Sequence, residues 1–450
     1  MILNLNRIFN PQSIAIIGAS NEVNSVGFGL TKNALEGSSQ RKIFVINPFH
    51  DKVLGLKCKP SVLSIKDRVD LAIVAVPTKI IESVIEECCQ KKVGGIIVIS
   101  AGFAEVGEDG KYLQEKISNI AKKAKIPLMG PNCLGIIRPS KKLNASFAPA
   151  TPKSGGVAFV SQSGALIDSV IDGAVNNNYG FSSLISYGNE ADIDICDFLL
   201  WLKKDKETKA IAIYLEGLKD GKKFMKVAKE VSKQKPIVII KAGKTEEGRK
   251  AVSTHTASLA GSYKVYSAAF AQSGVIEVDI VEDLLGVAKV LSENKKCKNG
   301  VGIITNGGGA GVLMTDYCTQ LGINIPDLDK KTIAKLQNLS SKHSIITRKN
   351  PLDLLGDAQP ERYAMALEAL LSQKNIHSIV VIQTLQIMTE VEKNAKIIIE
   401  KRNKYKDKPI LTAFLGGSLS KKGIELLEKN NISNFSELKR ASVALKVLIK

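Results

Sequence analysis

Short runs of branched aliphatic residues recur along this chain, and amphipathic helical stretches separate them. Uninterrupted apolar strands that alternate with helices are typical of parallel sheets covered by helices on both faces. The pattern therefore predicts an α/β fold built from doubly wound parallel sheets. The strands predicted in this way are Ser13–Ile17, Lys42–Ile46, Leu71–Val76, Gly95–Ser100, Gly156–Ser161, Ala210–Leu215, Pro236–Lys241, Gly300–Thr305 and Ser378–Ile382.

Three of the predicted strands run into a turn of small or polar residues that opens a helix, at Gly18, Ser161 and Thr305. In doubly wound folds such a restart marks the first strand of a new sheet. A length of 450 residues also suits about three domains of ordinary size. The domains predicted on this basis are residues 1–145, 146–298 and 299–450, with linkers at Pro139–Gly155 and Ser292–Gly300.

The composition and the spacing of cysteines and histidines indicate a cellular location and bear on metal binding. The seven cysteines are scattered, odd in number and without framework spacing, which favours reduced thiols and a cytoplasmic location. No apolar run reaches the roughly 18 residues of a membrane span, and the first ten residues lack the pattern of a secretory signal. No cysteine or histidine pair has the spacing of a zinc site, so we expect no protein-bound transition metal.

The formal net charge of +19 suggests nucleic-acid binding as one class of function. The excess, however, consists mostly of lysine spread over helical faces, as in Lys203–Lys206 and Lys401–Lys408, without interleaved aromatic residues. Solvated lysine-rich surfaces explain this distribution more simply, so we expect no nucleic-acid partner. Small polyanionic ligands and an acidic protein partner remain compatible with the charge.

A first candidate site follows the first predicted strand. Glycines at such a turn let the backbone approach phosphates at a helix N-terminus, although they also serve tight packing. The spacing is not that of an NAD fingerprint, and the second strand ends in Asn47 and Pro48 instead of the acidic residue that binds a ribose. A nucleotide-like ligand other than NAD is therefore favoured. The residues at these strand ends are Gly18, Ala19, Ser20, Gly27, Asn47, Pro48, Val76, Pro77, Ser100, Ala101 and Gly102.

A second candidate site is the run Ser161-Gln162-Ser163-Gly164, which ends a strand and opens a helix. Successive N–H groups and two hydroxyls at a helix start favour an anion. The run superficially resembles a nucleophile elbow but lacks one of its flanking glycines. A plain helix N-cap is the alternative interpretation.

The run from Thr254 to Gly261 places His255 among small and hydroxylic residues in a predicted loop after the strand that ends at Lys241. A single histidine is more often structural than catalytic, but small neighbours leave room beside the ring for a tetrahedral anion. Glu216 follows another strand, where its carboxylate could hold the second ring nitrogen and fix the nucleophilic tautomer. The alternative for Glu216 is a solvated charge at a strand end.

The run Gly243-Lys244-Thr245 looks like the end of a Walker A loop. Val238 stands where the first glycine of that loop should be, inside a predicted strand. The sequence therefore predicts no ATP site at this position.

Together these segments resemble the α subunit of ADP-forming acyl-CoA synthetases (acetate–CoA ligase, ADP-forming), relatives of the succinyl-CoA synthetase α subunit. The resemblance covers the whole chain, and its most specific part is the His255 run combined with the Ser161 run. The segments that carry it are Ile16–Ser20, Gly130–Gly135, Ser161–Leu166, Gly188–Asp192, Thr254–Gly261, Thr305–Gly311 and Asn350–Asp353.

The resemblance implies a Rossmann-like CoA-binding domain followed by two flavodoxin-like ligase domains. It implies His255 as the phosphorylated residue and Glu216 as the carboxylate that steadies it. The residues implied near CoA are Gly18, Ala19, Ser20, Gly27, Asn47, Pro48, Val76, Pro77, Ser100, Ala101, Gly102 and Asn132. The residues implied near phosphate and substrate are Ser161, Gln162, Ser163, Gly164, Gly188 and Asn189.

The implied reaction converts acyl-CoA and phosphate into an acyl phosphate and CoA. The acyl phosphate then phosphorylates His255 and releases the free acid, and the phosphoryl group passes to ADP. Mg-ADP or Mg-ATP would bind to a separate ATP-grasp β subunit, so the resemblance implies a hetero-oligomer acting on CoA and a small organic acid. The chain departs from the succinyl-type enzymes at His50, where they have a lysine, so no specific cation is expected there.

Two other functions compete with this one. A noncatalytic acyl-CoA-binding regulatory module would need neither His255 nor Glu216, and both are present. An NAD-dependent dehydrogenase is disfavoured by Asn47 at the end of the second strand. The turn Gly307–Gly311 in the third predicted domain is open to two interpretations, an anion site or a structural or docking element.

Overall fold

The computed structural model describes residues 5–176, 179–256, 262–340 and 349–449, and the side chains of residues 176, 253–256 and 338–340 also lie outside the described part. The chain forms two compact units, Met1–Asp279 and Ile280–Lys450. Whether the chain divides at 145/146 and 298/299, as the sequence predicts, stays a prediction. None of the helices in the described ranges is long and apolar enough to cross a membrane.

The first unit contains two sheets and a short hairpin. Its strands are β1 (Ser13–Ile17), β2 (Lys42–Ile46), β3 (Lys52–Val53), β4 (Leu56–Lys57), β5 (Leu71–Val74), β6 (Ile96–Val98), β7 (Leu128–Met129), β8 (Gly135–Arg138), β9 (Leu143–Ser146), β10 (Lys153–Ser161), β11 (Gly180–Ser186), β12 (Ala210–Leu215), β13 (Ile237–Lys241) and β14 (Ile276–Glu277). Its helices are α1 (Asn6–Phe9), α2 (Val26–Leu35), α3 (Thr78–Lys91), α4 (Glu108–Lys123), α5 (Gly164–Asn176), α6 (Ile195–Lys204), α7 (Gly221–Ser232), α8 (Glu246–Thr256) and α9 (Tyr263–Gln272).

The first sheet has the order β2-β1-β5-β6-β7, and all of its strands are parallel. Every residue of β1, β5 and β6 is buried, as expected for strands covered by helices on both faces. The chain order reverses between β1 and β5. In open α/β sheets ligands bind at the carboxyl ends of the two strands that flank such a switch point.

The second sheet repeats this winding. Its order is β14-β13-β12-β10-β11-β8-β9, in which β10 to β14 are parallel and the switch point lies between β10 and β12. The strands β8 and β9 add an antiparallel edge next to β11. Because β8 follows the last strand of the first sheet closely, the two sheets of this unit are joined by only a few residues.

The second unit holds a smaller parallel sheet. Its order is β16-β15-β17-β18, with the switch point between β15 and β17. The strands are β15 (Val301–Thr305), β16 (Leu352–Asp353), β17 (Ser378–Gln383) and β18 (Ile410–Phe414). The helices are α10 (Val281–Glu293), α11 (Gly308–Gln320), α12 (Lys330–Ser340), α13 (Pro360–Ser372), α14 (Val391–Lys404), α15 (Lys421–Lys429) and α16 (Leu438–Leu448).

The predicted fold class is confirmed, since parallel sheets with helical connections account for both units. The prediction of a linker at Pro139–Gly155 is wrong, because this segment supplies β9 and the start of β10 to the second sheet. Polar residues misled the prediction here. Asn144 and Ser146 are buried in β9, where the side chain of Ser146 donates to Asn144 and that of Asn144 donates to Thr151.

Arg138, at the end of β8, is the largest fully buried side chain that the structure describes. Its guanidinium contacts Asp205 Oδ1 at 2.8 Å and Glu207 Oε2 at 3.2 Å, and it donates to Asn10 Oδ1 at 2.6 Å. The same group lies 4.9 Å from the ring centroid of Trp201. The side chain thus ties the edge of the second sheet to the segment after α1 and to the end of α6.

We predict that Arg138→Ala destabilises the first unit by roughly 3–5 kcal/mol, because it leaves the buried carboxylate of Asp205 without its counter-charge. Thermal or urea denaturation of the variant measures this loss. The matched control is Lys42→Ala, which breaks an exposed ion pair with Asp67 and should cost about 1 kcal/mol or less. Equal effects of the two changes would contradict the structural role assigned to Arg138.

Candidate functional site

The turn after β1 lies in close contact with the turn after β5. Gly18 has a φ of +95°, and a Cβ at this position would lie 2.1 Å from the carbonyl oxygen of Ala75. A Cβ on Gly27, in the first turn of α2, would lie 2.0 Å from the carbonyl oxygen of Gly18. Only glycine fits at either position, so the start of α2 is held against the switch point of the first sheet.

Asn47 connects the turns after β1 and β2. Its side-chain N–H donates to Ala19 O at 2.8 Å, and its Oδ1 accepts from the N–H of Phe49 at 2.8 Å. The side-chain amide of Asn47 therefore fixes the two turns to each other. The neighbouring residues Pro48, Phe49 and His50 are exposed beside them.

The turns after β5, β6 and β7 continue the same edge. Ser100 Oγ donates to the carbonyl oxygen of Val76 at 2.6 Å, and the N–H of Asn132 donates to the carbonyl oxygen of Ser100 at 2.9 Å. The predicted CoA residues thus lie along one edge of the first sheet, from the β2 turn to the segment after β7. Pro77 is exposed there and directly precedes α3.

Glu105 holds this edge and was not among the predicted residues. Its Oε1 accepts from the N–H groups of Gly102 at 2.6 Å and Phe103 at 3.1 Å. Burial acts to raise the pKa of Glu105, but hydrogen bonds from Asn189 and from these two N–H groups outweigh burial, so the pKa is lowered. A carboxylate three residues after a glycine turn is the signal in the sequence that could have pointed to this role.

The Ser161 run forms a tight turn at the switch point of the second sheet. Ser161 is fully buried, and its Oγ accepts from the N–H of Ser163 at 3.0 Å and donates to Ser163 O at 2.8 Å. Ser163 Oγ in turn accepts from the N–H of Leu166, at 3.3 Å, and so caps α5. The hydroxyls organise the turn, which leaves the backbone N–H groups at the start of α5, beginning with Gly164, as the groups suited to an anion.

Gln162 connects the Ser161 turn to the turn that carries Glu216. Its Oε1 accepts from the N–H groups of Glu216 at 2.5 Å and Gly217 at 3.0 Å, and its Nε2 donates to Gly217 O at 3.3 Å. Both ends of this amide are therefore occupied by the neighbouring turn. The contacts favour a positioning role for Gln162 over the direct phosphate contact that the sequence suggested.

Glu216 lies at the end of β12 and is only 4% exposed. The interpretation of Glu216 as a solvated surface charge is therefore wrong. Its backbone follows β12 directly, and β12 pairs with β10 up to Ser161, so Glu216 lies at the second switch point beside the Ser161 turn.

His255 lies in the last turn of α8, but its side chain and residues 257–261 lie outside the described part of the chain. The backbone is helical up to Thr256, so the prediction of a loop is wrong for the segment that includes His255. α8 begins five residues after β13, the strand that pairs with β12. Lys244, in the Walker-like run between them, contacts Glu277 at 3.2 Å and Asp279 at 2.5 Å, which accounts for this lysine without a nucleotide.

Asn189 links the edges of the two sheets. Its Nδ2 donates to Glu105 Oε2 at 2.6 Å and to Gln114 Oε1 at 3.0 Å, and its Oδ1 accepts from Asn132 Nδ2 at 3.4 Å. Its backbone oxygen accepts from Lys219 Nζ at 3.2 Å, three residues beyond Glu216. The predicted CoA edge and the predicted phosphate edge are therefore parts of one hydrogen-bonded network.

The segment that carries Asn189 is tightly packed. Gly188 has a φ of +56°, and a Cβ there would lie 2.2 Å from Pro131 O. Glu190, which follows Asn189, is 6% exposed, and burial raises its pKa to about 7. Burial likewise raises the pKa of Tyr187 well above its ordinary value, with a further contribution from Glu190. These two side chains are inward-facing neighbours of the network that the sequence did not reveal.

The glycine turn of the second unit repeats the backbone of the Ser161 turn. Thr305 Oγ1 accepts from the N–H of Gly307 at 3.0 Å and donates to Gly307 O at 3.0 Å. Buried Asn306 is bound to the backbone of Thr384, and a Cβ at Gly308 would lie 2.8 Å from Asp353 Oδ2. A carboxylate beside the start of α11 supports the structural interpretation of this turn over the anion site.

Within the described ranges, no group of three or more histidine, cysteine, aspartate or glutamate side chains is arranged to hold a metal ion. All seven cysteines, which lie in those ranges, are free thiols.

Three family descriptions match successive segments of the chain. A CoA binding domain matches residues 12–139, a succinyl-CoA ligase like flavodoxin domain matches residues 154–291, and a ligase-CoA domain matches residues 301–448. The chain is 39% identical to the α subunit of acetate–CoA ligase [ADP-forming] II of Pyrococcus furiosus, over 99% of this chain and 97% of that subunit. The chain belongs to the ADP-forming acetate–CoA ligase family.

This ligase chain is also similar to longer relatives. It is 41% identical to acetate–CoA ligase [ADP-forming] I of Archaeoglobus fulgidus over 99% of its own length, but it spans only 63% of that protein. Among solved structures, it matches the dinucleotide-forming acetyl-coenzyme A synthetase 1 of Candidatus Korarchaeum cryptofilum, solved with phosphate and ADP. The TM-score is 0.93 and the identity 36%, over 99% of this chain and 96% of the other. The α-type chain and its CoA-binding domain are thereby confirmed as the sequence predicted.

We predict that Glu105→Ala weakens CoA binding to this ligase chain about tenfold, because the turn 100–103 loses the acceptor for two N–H groups and the contact with Asn189. Isothermal titration of CoA into the purified chain measures the effect. Glu108→Ala is the matched control, since Glu108 is exposed and contacts only Lys111 among the ion pairs described, at 3.5 Å. Unchanged CoA affinity in Glu105→Ala would remove Glu105 from the CoA site.

Proposed function

We propose that this chain catalyses the acyl-CoA part of an ADP-forming acyl-CoA synthetase reaction and carries the phosphoryl group on His255. The observation that supports this best is the joint placement of the Ser161 turn and the Glu216 turn at the switch point of the second sheet, fixed to each other by Gln162. The network through Asn189 adds the CoA edge of the first sheet to the same region.

The proposed chemistry has two steps on this chain. Phosphate attacks the thioester carbonyl of acyl-CoA, so that a C–O bond forms, the C–S bond breaks and the CoA thiolate takes a proton. An imidazole nitrogen of His255 then attacks the phosphorus of the acyl phosphate, so that an N–P bond forms and the carboxylate leaves. The N–H groups at the start of α5 would stabilise the phosphoryl oxygens, and Glu216 would orient the ring.

The final step would transfer the phosphoryl group to ADP, with magnesium, on an ATP-grasp module. The naming of the Pyrococcus furiosus relative as a subunit supports a separate β chain, hence a hetero-oligomer, while the Archaeoglobus fulgidus relative shows that a single longer chain also exists in the family. We propose a small carboxylic acid as the substrate and the cytoplasm as the location. No nucleic-acid or membrane partner is part of this proposal.

A noncatalytic acyl-CoA sensor is the competing function. It would use the first sheet in the same way but would have no need of a buried carboxylate at the second switch point. The burial of Glu216 and the contacts of Gln162 with its turn therefore favour the enzyme.

We predict that the chain incubated with acetyl-CoA and ³²P-labelled phosphate acquires an acid-labile, base-stable label on His255, as a phosphoramidate would. The same label should form from ATP and magnesium when the nucleotide-binding module is added. His255→Ala should abolish labelling and acyl-CoA synthesis because the nucleophile is lost. His377→Ala, which changes a histidine of the second unit, is the matched control and should retain the label. Labelling of His255→Ala at a comparable level would show that another residue is the carrier.

We predict separately that Glu216→Gln slows phosphorylation of His255 by about a hundredfold or more while CoA binding stays near normal. A carboxylate that orients and stabilises a charged imidazole typically contributes orders of magnitude. Rapid-quench labelling measures the rate, and titration calorimetry measures CoA affinity. Glu230→Gln, which changes an exposed carboxylate paired with Lys203, serves as the control. Unchanged phosphorylation kinetics would exclude an orienting role for Glu216.

A further inference from the structure

Lys241, the last residue of β13, is a lysine buried beneath the Glu216 turn. It is 2% exposed, and its ammonium donates to the carbonyl oxygen of Glu216 at 2.7 Å and to that of Ala242 at 2.5 Å. The same nitrogen lies 4.6 Å from the ring centroid of Tyr266. Two carbonyl oxygens and an aromatic face thus surround this charge.

Such an arrangement is not accounted for by stability. A lysine that loses its water must be compensated by its new neighbours, and an apolar side chain of similar volume is often as stable or more stable in the same place. The neutral carbonyls around Lys241 supply hydrogen bonds but no full counter-charge. The side chain therefore has to be explained by what it does to its neighbours.

Its main effect is to immobilise the backbone on both sides of Glu216. The N–H of Glu216 is held by Gln162, and its carbonyl oxygen is held by Lys241. The hydroxyl of Tyr266 adds a third contact by accepting from the N–H of Leu218 at 3.3 Å. With these contacts, the direction in which the Glu216 side chain leaves the backbone is fixed from three elements of the fold.

The second effect is electrostatic. Burial lowers the pKa of Lys241 to about 8, while Glu216 and Glu277 act to raise it and Arg249 acts to lower it. The buried charge of Lys241 and the Glu216 side chain therefore attract each other, and this attraction restrains the carboxylate that is proposed to hold the imidazole.

We propose that Lys241 is a positioning residue for phosphoryl transfer, which fixes the Glu216 backbone and supplies the buried positive charge beside its carboxylate. The inference rests on the proposed function of His255 and Glu216. Lys241 is assigned an effect on the rate at which His255 is phosphorylated, separate from any effect on folding.

The test compares Lys241→Met with Lys235→Met in the full chain. Lys235 precedes the same strand at its opposite end, and its ammonium likewise donates to two carbonyl oxygens, those of Leu202 and Asp205. Burial lowers its pKa as well. The probe is the rate of ³²P labelling of His255 from acetyl-CoA and labelled phosphate. We expect a loss of at least tenfold in Lys241→Met and less than twofold in Lys235→Met.

The pH profile separates the proposed role from a purely structural one. Above about pH 8 wild-type Lys241 loses its proton, so the ratio of the wild-type rate to the Lys241→Met rate should fall between pH 7 and pH 9. The folded-state pKa lies below the ordinary value of 10.5, so the unfolded chain binds the extra proton between about pH 8 and 10.5. Burying the charged lysine therefore lowers the free energy of unfolding by its full amount below about pH 8, and this penalty declines as the pH rises from 8 towards 10.5. The melting temperature of Lys241→Met at pH 7 should accordingly match or exceed that of the wild type.

Lys241→Gln provides a second variant, because glutamine can donate to a carbonyl oxygen but carries no charge. It should also label slowly. Three results would each overturn this inference but not the proposed function. They are labelling of both Lys241 variants as fast as the wild type, a ratio of wild-type to variant rate that does not change with pH, and an equal loss of rate in Lys235→Met. A wild-type chain whose His255 acquires no label from any of a panel of acyl-CoA substrates would instead overturn the proposed function, and this inference with it.

Discussion

A doubly wound parallel sheet sends the connections on either side of its first strand to opposite faces, and this leaves the carboxyl ends of two neighbouring strands uncovered. The three parallel sheets that the structure describes share that constraint, because each reverses its strand order next to the first of its parallel strands, β1, β10 or β15. What differs is how the turns at each switch point use their side chains. In the first sheet glycines bring backbone against backbone, and in the second Gln162 joins two turns. In the third, buried Asn306 is bound to Thr384.

These differences follow from local chemistry. Ser161 and Thr305 build the same hydrogen-bonded turn at the end of their strands, so the turn by itself does not define a phosphate site. The surroundings distinguish them. The start of α5 lies beside turns fixed by Gln162, whereas the start of α11 has the carboxylate of Asp353 beside it. An anion at the start of α11 would meet the negative charge of Asp353. The same strand–turn–helix pattern in the sequence can therefore support an anion site at α5 and a structural turn at α11.

Much of the fold could be predicted because buried parallel strands are continuous apolar runs, and β1, β2 and β12 have the predicted bounds. The antiparallel pair β8–β9 was missed because β9 buries polar residues, which look like a linker until their partners are known. The positions of the glycine turns could be predicted in the same way from spacing. The roles of Glu105 and Lys241 could not, because a charged residue at a strand end or in a loop looks solvated in the sequence. Only the tertiary structure shows that these charges contact backbone N–H and carbonyl groups.

Arg138 and Lys241, both almost fully buried in the first unit, show that two buried cations can serve different purposes. Arg138 is compensated by carboxylates of Asp205 and Glu207, which its planar guanidinium contacts while lying over Trp201, so removing it leaves unpaired charge in the core. Lys241 contacts carbonyl oxygens instead, and Glu216 is the carboxylate that acts most strongly to raise its pKa against the effect of burial. The charge of Lys241 is thus held by neutral carbonyl oxygens at the Glu216 turn, near the place where the phosphoryl group is proposed to bind. Asn189 connects Lys219, three residues beyond Glu216, to Glu105 at the carboxyl edge of the first sheet. The turns predicted to bind CoA and the turn that carries Glu216 are thus connected to each other within the first unit.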